Sequence, residues 1–385
     1  MTETFRIGGD RFSVAPPPPL GGEASGFVVR SGAGDYEVRL AAGQPGPAVQ
    51  VAALLDGLAA PLVVADEVVL AAHLPDGVGP APCHPVVASE ATKSLDGAVA
   101  VLDFLAGERA GRATTVVAIG GGVVQDVTGF ACGVYKRGLS WCYVPTTLLA
   151  QADSCIGGKT AVNFRRTKNL LGLFCAPGQV LSHPGFLSSL APADLRSGLG
   201  EILKLCAIGG EGCLARFEDG LAAALTGDLD VVRSLAALSL AVKWPVIEAD
   251  ERDVGARRAL NLGHSVGHAV EATTGYEVPH GVAVTLGTLV ESDLARRRGL
   301  LEAGVVDRLT RSARLLVTGT EAAAAATVAP EALWSAMGGD KKVEGSVLKL
   351  PVPVALGAVE LVDLPLDARG LGELESALGC LASLR

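Results

Sequence analysis

The segment TTVVAIGGGVVQD, residues 114–126, decides how the first half of the chain is built. Val116, Val117, Ala118 and Ile119 form an unbroken apolar run rather than an alternation, the pattern of a strand buried on both faces. Three glycines, Gly120, Gly121 and Gly122, end the run, and a helix start follows. A strand that turns through glycine into a helix exposes backbone N–H groups where an anionic group can come close. The spacing is not G-x-G-x-x-G, so by itself the turn fits a plain strand–helix junction as well as a nucleotide site.

The flanking sequence repeats the rhythm. PLVVAD (61–66) reads as a buried strand ending at Asp66, and ASEATKSLDGAVAVLDFLAGE (88–108) as a loop and then an amphipathic helix. LSWCYVPTT (139–147) and QVLSHP (179–184) read as further strands. Strand, helix, strand predicts a parallel sheet covered on both faces. Beyond about residue 186 the pattern changes: LRSGLGEILKLCAI, VVRSLAALSLAVKWPVIEAD, VAVTLGTLVESDLARRRG and VDRLTRSARLLV space their apolar residues three or four apart, as helices do. LKLPVPVALGAVELVDLP (348–365) suggests a hairpin. The expectation is an α/β protein with a Rossmann-like parallel-sheet domain over residues 1–185 and a mainly α-helical domain over 186–385. Residues 1 to about 50 are weakly patterned, and PPPP at 16–19 reads as a surface spacer.

Composition bounds the function. With 385 residues, 49% hydrophobic and 19% charged, the chain can bury a large core and is not disordered. A net charge of −9 argues against nucleic acid and anionic membranes as partners, so an anionic small substrate would need a local basic pocket. No apolar run approaches the ~18 residues of a membrane helix, and MTETFRIGGDRFSVAPPPP lacks a signal-peptide core; the expected location is cytoplasmic. The eight cysteines form no C-x-x-C pair and read as free thiols, most of them in apolar surroundings.

Two stretches carry chemistry. In PTTLLAQADSCIGGKTAVNFRRTKN (145–169), Thr146 and Thr147 close a strand, where hydroxyls can meet a ribose or phosphate. Asp153 follows, then Lys159 behind Gly157 and Gly158, then Lys168 and Asn169; a lysine after glycines can seat a phosphate. In GHSVGHAVEATTGYEVPHG (263–281), His264 and His268 are four apart and share a helix face. A catalytic zinc takes three protein ligands and keeps an open position. His280 or a carboxylate such as Glu201, with Lys204 one turn on, can complete such a set; histidines satisfied by hydrogen bonds are the alternative. Glu271 fits a ligand or a partner orienting an imidazole. In ADERDVGARRALN (249–261), at most one of Arg257 and Arg258 can face the same site as Asn261. DKKVEG (340–345) reads as a lysine-bearing surface turn.

Taken in order, GGGVVQDVTGF, YKRG, PTTLLAQADSCIGGKTAVN, KNLLGLF, LRSGLGEILK, ADERD, RRALNLGHSVGHAVEA, HG and DKK resemble the 3-dehydroquinate synthases, within the wider sugar phosphate cyclases. The likeness runs from residue 88 to about 345. It implies NAD held by Asp66, Glu90, Lys93, Gly120, Gly121, Gly122, Asp126, Thr146 and Thr147, with Asp153, Lys168 and Asn169 nearby. It implies a divalent metal, zinc with cobalt as the alternative, on Glu201, His264 and His280. His268 then becomes a phosphate contact with Lys159, Asn261 and Lys342, and Arg137 reaches in from the partner of a homodimer. Lys204, Asp153 and Asn169 would fix hydroxyls and cofactor. The implied reaction oxidises one hydroxyl of a seven-carbon sugar acid phosphate, eliminates phosphate, returns the hydride and closes a carbocycle.

Lys243 and Arg257 fall where dehydroquinate synthases bind the substrate carboxylate. Two buried cations with no anion would be costly. Their presence favours 3-deoxy-arabino-heptulosonate 7-phosphate, or its 4-amino analogue, over the neutral-ended sedoheptulose 7-phosphate. Cys155 stands where the family usually has serine, which leaves both primary and secondary metabolism open. Competing readings are a valiolone- or inosose-forming cyclase, a metal- and NAD-dependent polyol phosphate dehydrogenase, and a non-catalytic nucleotide-binding paralogue.

Overall fold

The computed structural model describes residues 3–15, 25–165, 167–338 and 343–384. The prolines at 16–19 and the lysines at 341–342, including the expected phosphate contact Lys342, lie outside the described residues. The chain divides into two compact units, one made of residues 17–191 and 227–237, the other of residues 1–16, 192–226 and 238–385.

A short hairpin, β1 (Thr4–Ile7) and β2 (Asp10–Ser13), opens the chain and belongs to the second of these units. The first unit contains β3 (Ser25–Val29), β4 (Tyr36–Leu40), β5 (Ala60–Asp66), β6 (Cys83–Val86), β7 (Thr114–Gly120) and β8 (Ser140–Pro145), then the hairpin of β9 (Lys159–Phe164) and β10 (Thr167–Phe174), then β11 (Gln179–Ser182). Seven of these form one sheet in the order β3-β4-β11-β8-β7-β5-β6. All neighbours are parallel except the edge pair β3–β4. One row of partners, Val64, Ala118, Tyr143, Val180 and Val38, crosses the sheet in register. Val116 to Ile119 are fully buried, as an uninterrupted apolar strand between two neighbours must be. The same unit carries α1 (Pro47–Asp56), α2 (Glu67–His73), α3 (Leu95–Gly107) and α4 (Gly122–Val134). Asp66 caps α2 by accepting from Val68 N at 3.0 Å, and Ser94 caps α3 by accepting from Gly97 N at 3.3 Å.

The second unit is mainly helical: α5 (Pro192–Gly209), α6 (Glu211–Leu225), the C-terminal part of α7 (Leu229–Ala249), α8 (His264–Thr273), α9 (His280–Arg297), α10 (Ala303–Leu316), α11 (Gly319–Thr327), α12 (Pro330–Gly338) and α13 (Ala368–Leu378). Helix α9 is buried from Gly281 to Ala295 on every side, so it forms the axis of this unit. A five-stranded sheet joins β12 (Val343–Glu344), β13 (Val347–Ala355) and β14 (Ala358–Pro365) to β1 and β2. Pro351 and Pro353 lie on β13 beyond the two residues that pair with β12, where no ladder N–H is needed on that side.

Two features depart from the sequence expectation. The weakly patterned N-terminal fifty residues contain β1 to β4, each only four or five residues long, too short for a period to show. The first of them runs parallel to β14, so the N-terminal hairpin joins the helical unit and not the sheet domain assigned to residues 1–185. Among the described residues no helix is long and apolar enough to cross a membrane. All eight cysteines are free and five are buried.

Candidate active site

The helical unit brings Glu201, Lys204, His264, His268 and His280 together. Glu201 and Lys204 lie one turn apart on α5, both fully buried, with Nζ 2.5 Å from Oε2. The other carboxyl oxygen, Oε1, lies 3.3 Å from His280 Nε2 and 3.5 Å from His264 Nε2. His280 and His264 are the first residues of α9 and α8, and His268 is one turn further along α8. The three imidazoles offer ring nitrogens within 4.8 Å of one another. Two outer nitrogens are engaged: His280 Nδ1 meets Glu271 Oε2 at 3.0 Å, and His264 Nδ1 meets the Leu262 carbonyl at 3.2 Å. Such contacts hold Nε2 toward a common point.

Close helix packing makes this convergence possible. Gly281 follows His280, and a methyl group there would overlap the Ser197 carbonyl oxygen and sit 2.6 Å from its carbon. Gly200, beside Glu201, would in turn press a methyl against the Gly281 carbonyl carbon at 2.8 Å. Glycine at both contacts lets α5 and α9 approach backbone to backbone. Ser197 Oγ accepts the Gly281 N–H at 2.8 Å, which fixes the start of α9.

The charges are mutually supporting. Burial would raise the Glu201 carboxyl, but Lys204 and then His280 outweigh it and hold the group well below the usual carboxylate range. Burial would lower His280, but its close contacts with the Glu201 and Glu271 carboxylates push it up to about 10. The residues fit a divalent ion: Glu201 Oε1 is buried without a well-formed hydrogen bond among the described residues, and the donor set is one carboxylate with imidazoles, which suits zinc or cobalt.

Lys243, on α7, and Arg257, in the turn Ala256–Asn261, are both buried in the same unit. Of the adjacent pair it is Arg257 that is buried, with Arg258 half-exposed. Asp250 braces this loop: its carboxyl accepts from Val254 N at 3.1 Å, Gly255 N at 2.7 Å and Arg257 N at 3.0 Å. Burial alone would raise Asp250, but these bonds hold it below the ordinary range. Asn261, at the end of the turn, donates to the Arg258 carbonyl at 3.2 Å.

In the sheet unit, β5 and β7 are neighbours whose onward connections run to opposite sides, to β6 and to β8. Such a switch point opens a crevice at the carboxyl ends of the strands. Asp66 ends β5 and the glycines end β7, so both flank it. Gly121 starts α4 with no side-chain cap and no acid in the first turn, leaving the helix N-terminus suited to an anion. A methyl on Gly120 or Gly121 would strike Val124 or Thr147, whereas at Gly122 it would meet open space. These features fit a pyrophosphate. Tyr143 Oη and Thr146 N both donate to the Gly120 carbonyl, at 3.1 and 3.0 Å, and Thr147 Oγ1 accepts from Ala150 N at 3.3 Å.

Other expected cofactor residues form an ionic cluster. Lys93 Nζ lies 2.5 Å from Asp126 Oδ2, whose Oδ1 accepts from Ala161 N at 3.0 Å. Glu90 accepts from Asn163 Nδ2 at 2.7 Å and pairs with Lys168 at 3.5 Å, and Asn163 Oδ1 accepts from Asn169 N at 2.9 Å. Asp126 and Glu90 therefore tie α4 and the 88–94 loop to the β9–β10 hairpin. Asp153 sits in a π-helical turn, Ala150–Ser154, and Lys159 opens β9. Arg137 is exposed on the turn after α4, away from these groups in sequence and held at φ 69°. Sequence reasoning missed Gln125 and Ser154, which exchange hydrogen bonds of 2.7 and 2.6 Å between α4 and the turn carrying Asp153. It also missed Asn163 and Ser197.

Comparison with known proteins shows the family. Residues 84–197 match the 3-dehydroquinate synthase N-terminal family and residues 198–343 the 3-dehydroquinate synthase C-terminal family. The chain is 39% identical to 3-dehydroquinate synthase of Enterococcus faecalis over 289 residues, covering 73% of this chain and 78% of the relative. It is 35% identical to the Paracoccus denitrificans 3-dehydroquinate synthase over 345 residues, covering 86% and 93%. Among solved structures it resembles ValA, a 2-epi-5-epi-valiolone synthase from Streptomyces hygroscopicus with NAD+ and Zn2+ bound, with TM-score 0.75, 30% identity and 90% and 96% coverage. A protein described as a probable glycerol dehydrogenase from Sinorhizobium meliloti, at 14% identity with 87% and 94% coverage and TM-score 0.58, shares the fold alone.

Proposed function

Because the chain belongs to the 3-dehydroquinate synthase family, we propose that it converts 3-deoxy-arabino-heptulosonate 7-phosphate to 3-dehydroquinate and phosphate. NAD would lie on the glycine turn and the residues flanking the β5–β7 switch point, and a divalent ion on Glu201, His264 and His280. Bound there, NAD would supply a reversible hydride acceptor and the ion a Lewis acid.

The chain's own side chains hold and neutralise. Lys204 keeps the Glu201 carboxyl ionised, so its second oxygen stays available to a cation. Glu271 engages His280 Nδ1 and leaves Nε2 for the ion. In the helical unit, Asn261 and His268 would bind the phosphate. Oriented in this way, the substrate phosphate can itself take the proton that elimination removes. The protein's work is then positioning and charge neutralisation. A cytoplasmic location and zinc as the resident ion complete the proposal.

The observation that carries the substrate assignment is the burial of Lys243 and Arg257, which are 7% and 4% exposed in the unit that holds the Glu201–histidine cluster. Two cations withdrawn from water suit a carboxylated substrate. The 30% identity to a valiolone synthase supports a second reading, in which the substrate end is neutral. Phosphate release from the heptulosonate phosphate and from sedoheptulose 7-phosphate, with NAD and zinc present, separates them. A preference of at least about 100-fold in kcat/KM for the carboxylated sugar is expected, the scale of one buried charge pair. Turnover of sedoheptulose 7-phosphate alone would contradict the assignment.

A further inference from the structure

Helix α9 buries an acid that the proposed reaction does not use. Glu291 is fully buried, three residues beyond Thr288; the other buried acid of this helix, Asp293, pairs with Arg296 and Arg297. Its Oε2 accepts the Gly263 N–H at 2.5 Å. Gly263 and Leu262 share one peptide group, and the Leu262 carbonyl is the oxygen 3.2 Å from His264 Nδ1. A carbonyl can only accept, so this contact places a proton on Nδ1 and leaves the Nε2 lone pair for an ion. The peptide thus links a buried acid on one helix to the outer nitrogen of an expected ligand at the start of another.

The orientation of this peptide depends on glycine at 263. Gly263 stands at φ 78°, in the left-handed region that only glycine adopts freely, and it is the residue before His264. It is pressed against α9: a methyl there would lie 2.5 Å from the Val284 carbonyl oxygen and 2.8 Å from Thr288 N. Rotation of the 262–263 peptide would break the bond to Glu291 and turn the carbonyl away from His264 together. No side chain caps the N-terminus of α8, where an acid is also favoured by the helix dipole.

We infer that Glu291 is a positioning residue for the ion: by fixing the 262–263 peptide it sets the tautomer and the orientation of His264. The inference rests on the proposed role of His264 as a ligand.

The test is Co2+ binding to the full-length apoprotein, read as d–d absorption and as affinity in competition with a chromophoric chelator. Wild type, Glu291→Gln, Glu291→Leu and His264→Ala are compared, with thermal unfolding of each in parallel. Glu291→Gln keeps an acceptor oxygen and should bind within about threefold of wild type, whereas Glu291→Leu should bind about 10- to 100-fold more weakly with an altered d–d band. A folded Leu variant with wild-type affinity and spectrum, or a Gln variant as weak as the Leu variant, overturns the inference. If the Leu variant does not fold, Glu291→Asp serves instead: one methylene short of Gly263, it should show the same weakening, and wild-type binding by it would overturn the inference. His264→Ala binding Co2+ as wild type does would refute the ligand reading itself, whatever the Glu291 variants show.

Discussion

Replacing Gly281 by alanine tests how the ion site is assembled. The new methyl would overlap the Ser197 carbonyl oxygen and lie 2.6 Å from its carbon and 3.0 Å from its Cα. Carbon atoms in contact sit about 3.5–4.0 Å apart, so α5 and α9 must separate by about 1 Å. All the atoms struck are backbone, and no rotamer change relieves the clash. Overpacking of this kind costs about 1–3 kcal/mol, and the Ser197–Gly281 hydrogen bond of 2.8 Å is stretched with it. Glu201 is one turn beyond Ser197 on α5 and His280 immediately precedes Gly281, so the same displacement opens the 3.3 Å gap between them. Metal–ligand distances tolerate only about 0.2 Å of error. Zinc affinity of Gly281→Ala, measured by chelator competition, should therefore fall at least about 100-fold, with a lower melting temperature that zinc no longer raises as it does in wild type. Gly304, on α10, meets nothing within 4 Å, and alanine there should be neutral or stabilise by about 0.4–1 kcal/mol. A Gly281→Ala protein that binds zinc like wild type would refute the idea that this helix crossing sets the ligand geometry.

Ser197→Ala removes the acceptor of the Gly281 N–H and should cost about 1–2 kcal/mol in urea unfolding, because a helix-start donor is left buried without its partner. Gln125→Leu breaks both hydrogen bonds to Ser154; calorimetry should show weaker NAD binding with zinc affinity unchanged, since only the turn bearing Asp153 loosens. Asp250 has its folded pKa below its unfolded value, so its stabilising contribution is present above about pH 4 and lost as pH falls through the folded value. Asp250→Asn should flatten the acid limb of a stability–pH curve in that window and leave the neutral region's slope unchanged.

Long, fully apolar strands and strongly periodic helices were legible in the sequence because both lie deep in the core. Residues 114–120, 140–145 and 179–182 are strands where the apolar runs placed them, and α3 starts behind Ser94 as its loop-then-helix pattern implied. The proximity of His264 and His280 was not legible from spacing. It depends on Gly200 and Gly281, 81 residues apart on two helices, meeting in space, and a sequence does not show which glycines touch. The β9–β10 hairpin was hidden because its strands carry charges and glycines that read equally as an anion-binding loop. Glu291 left a trace: VTLGTLV runs apolar or small up to the glutamate, and an acid entering so apolar a helix calls for a buried partner. That partner, a backbone N–H on another helix, is visible only in three dimensions.

The central claim is that this chain uses NAD as a recycled oxidant in a phosphate elimination. Following phosphate release and absorbance at 340 nm in the same cuvette, with NAD far below the heptulosonate phosphate, tests it most directly. Many phosphates released per NAD, with the NADH absorbance flat, is the predicted result. NADH accumulating in step with product, and no phosphate released, would contradict the account and place the chain with the dehydrogenases whose fold it shares.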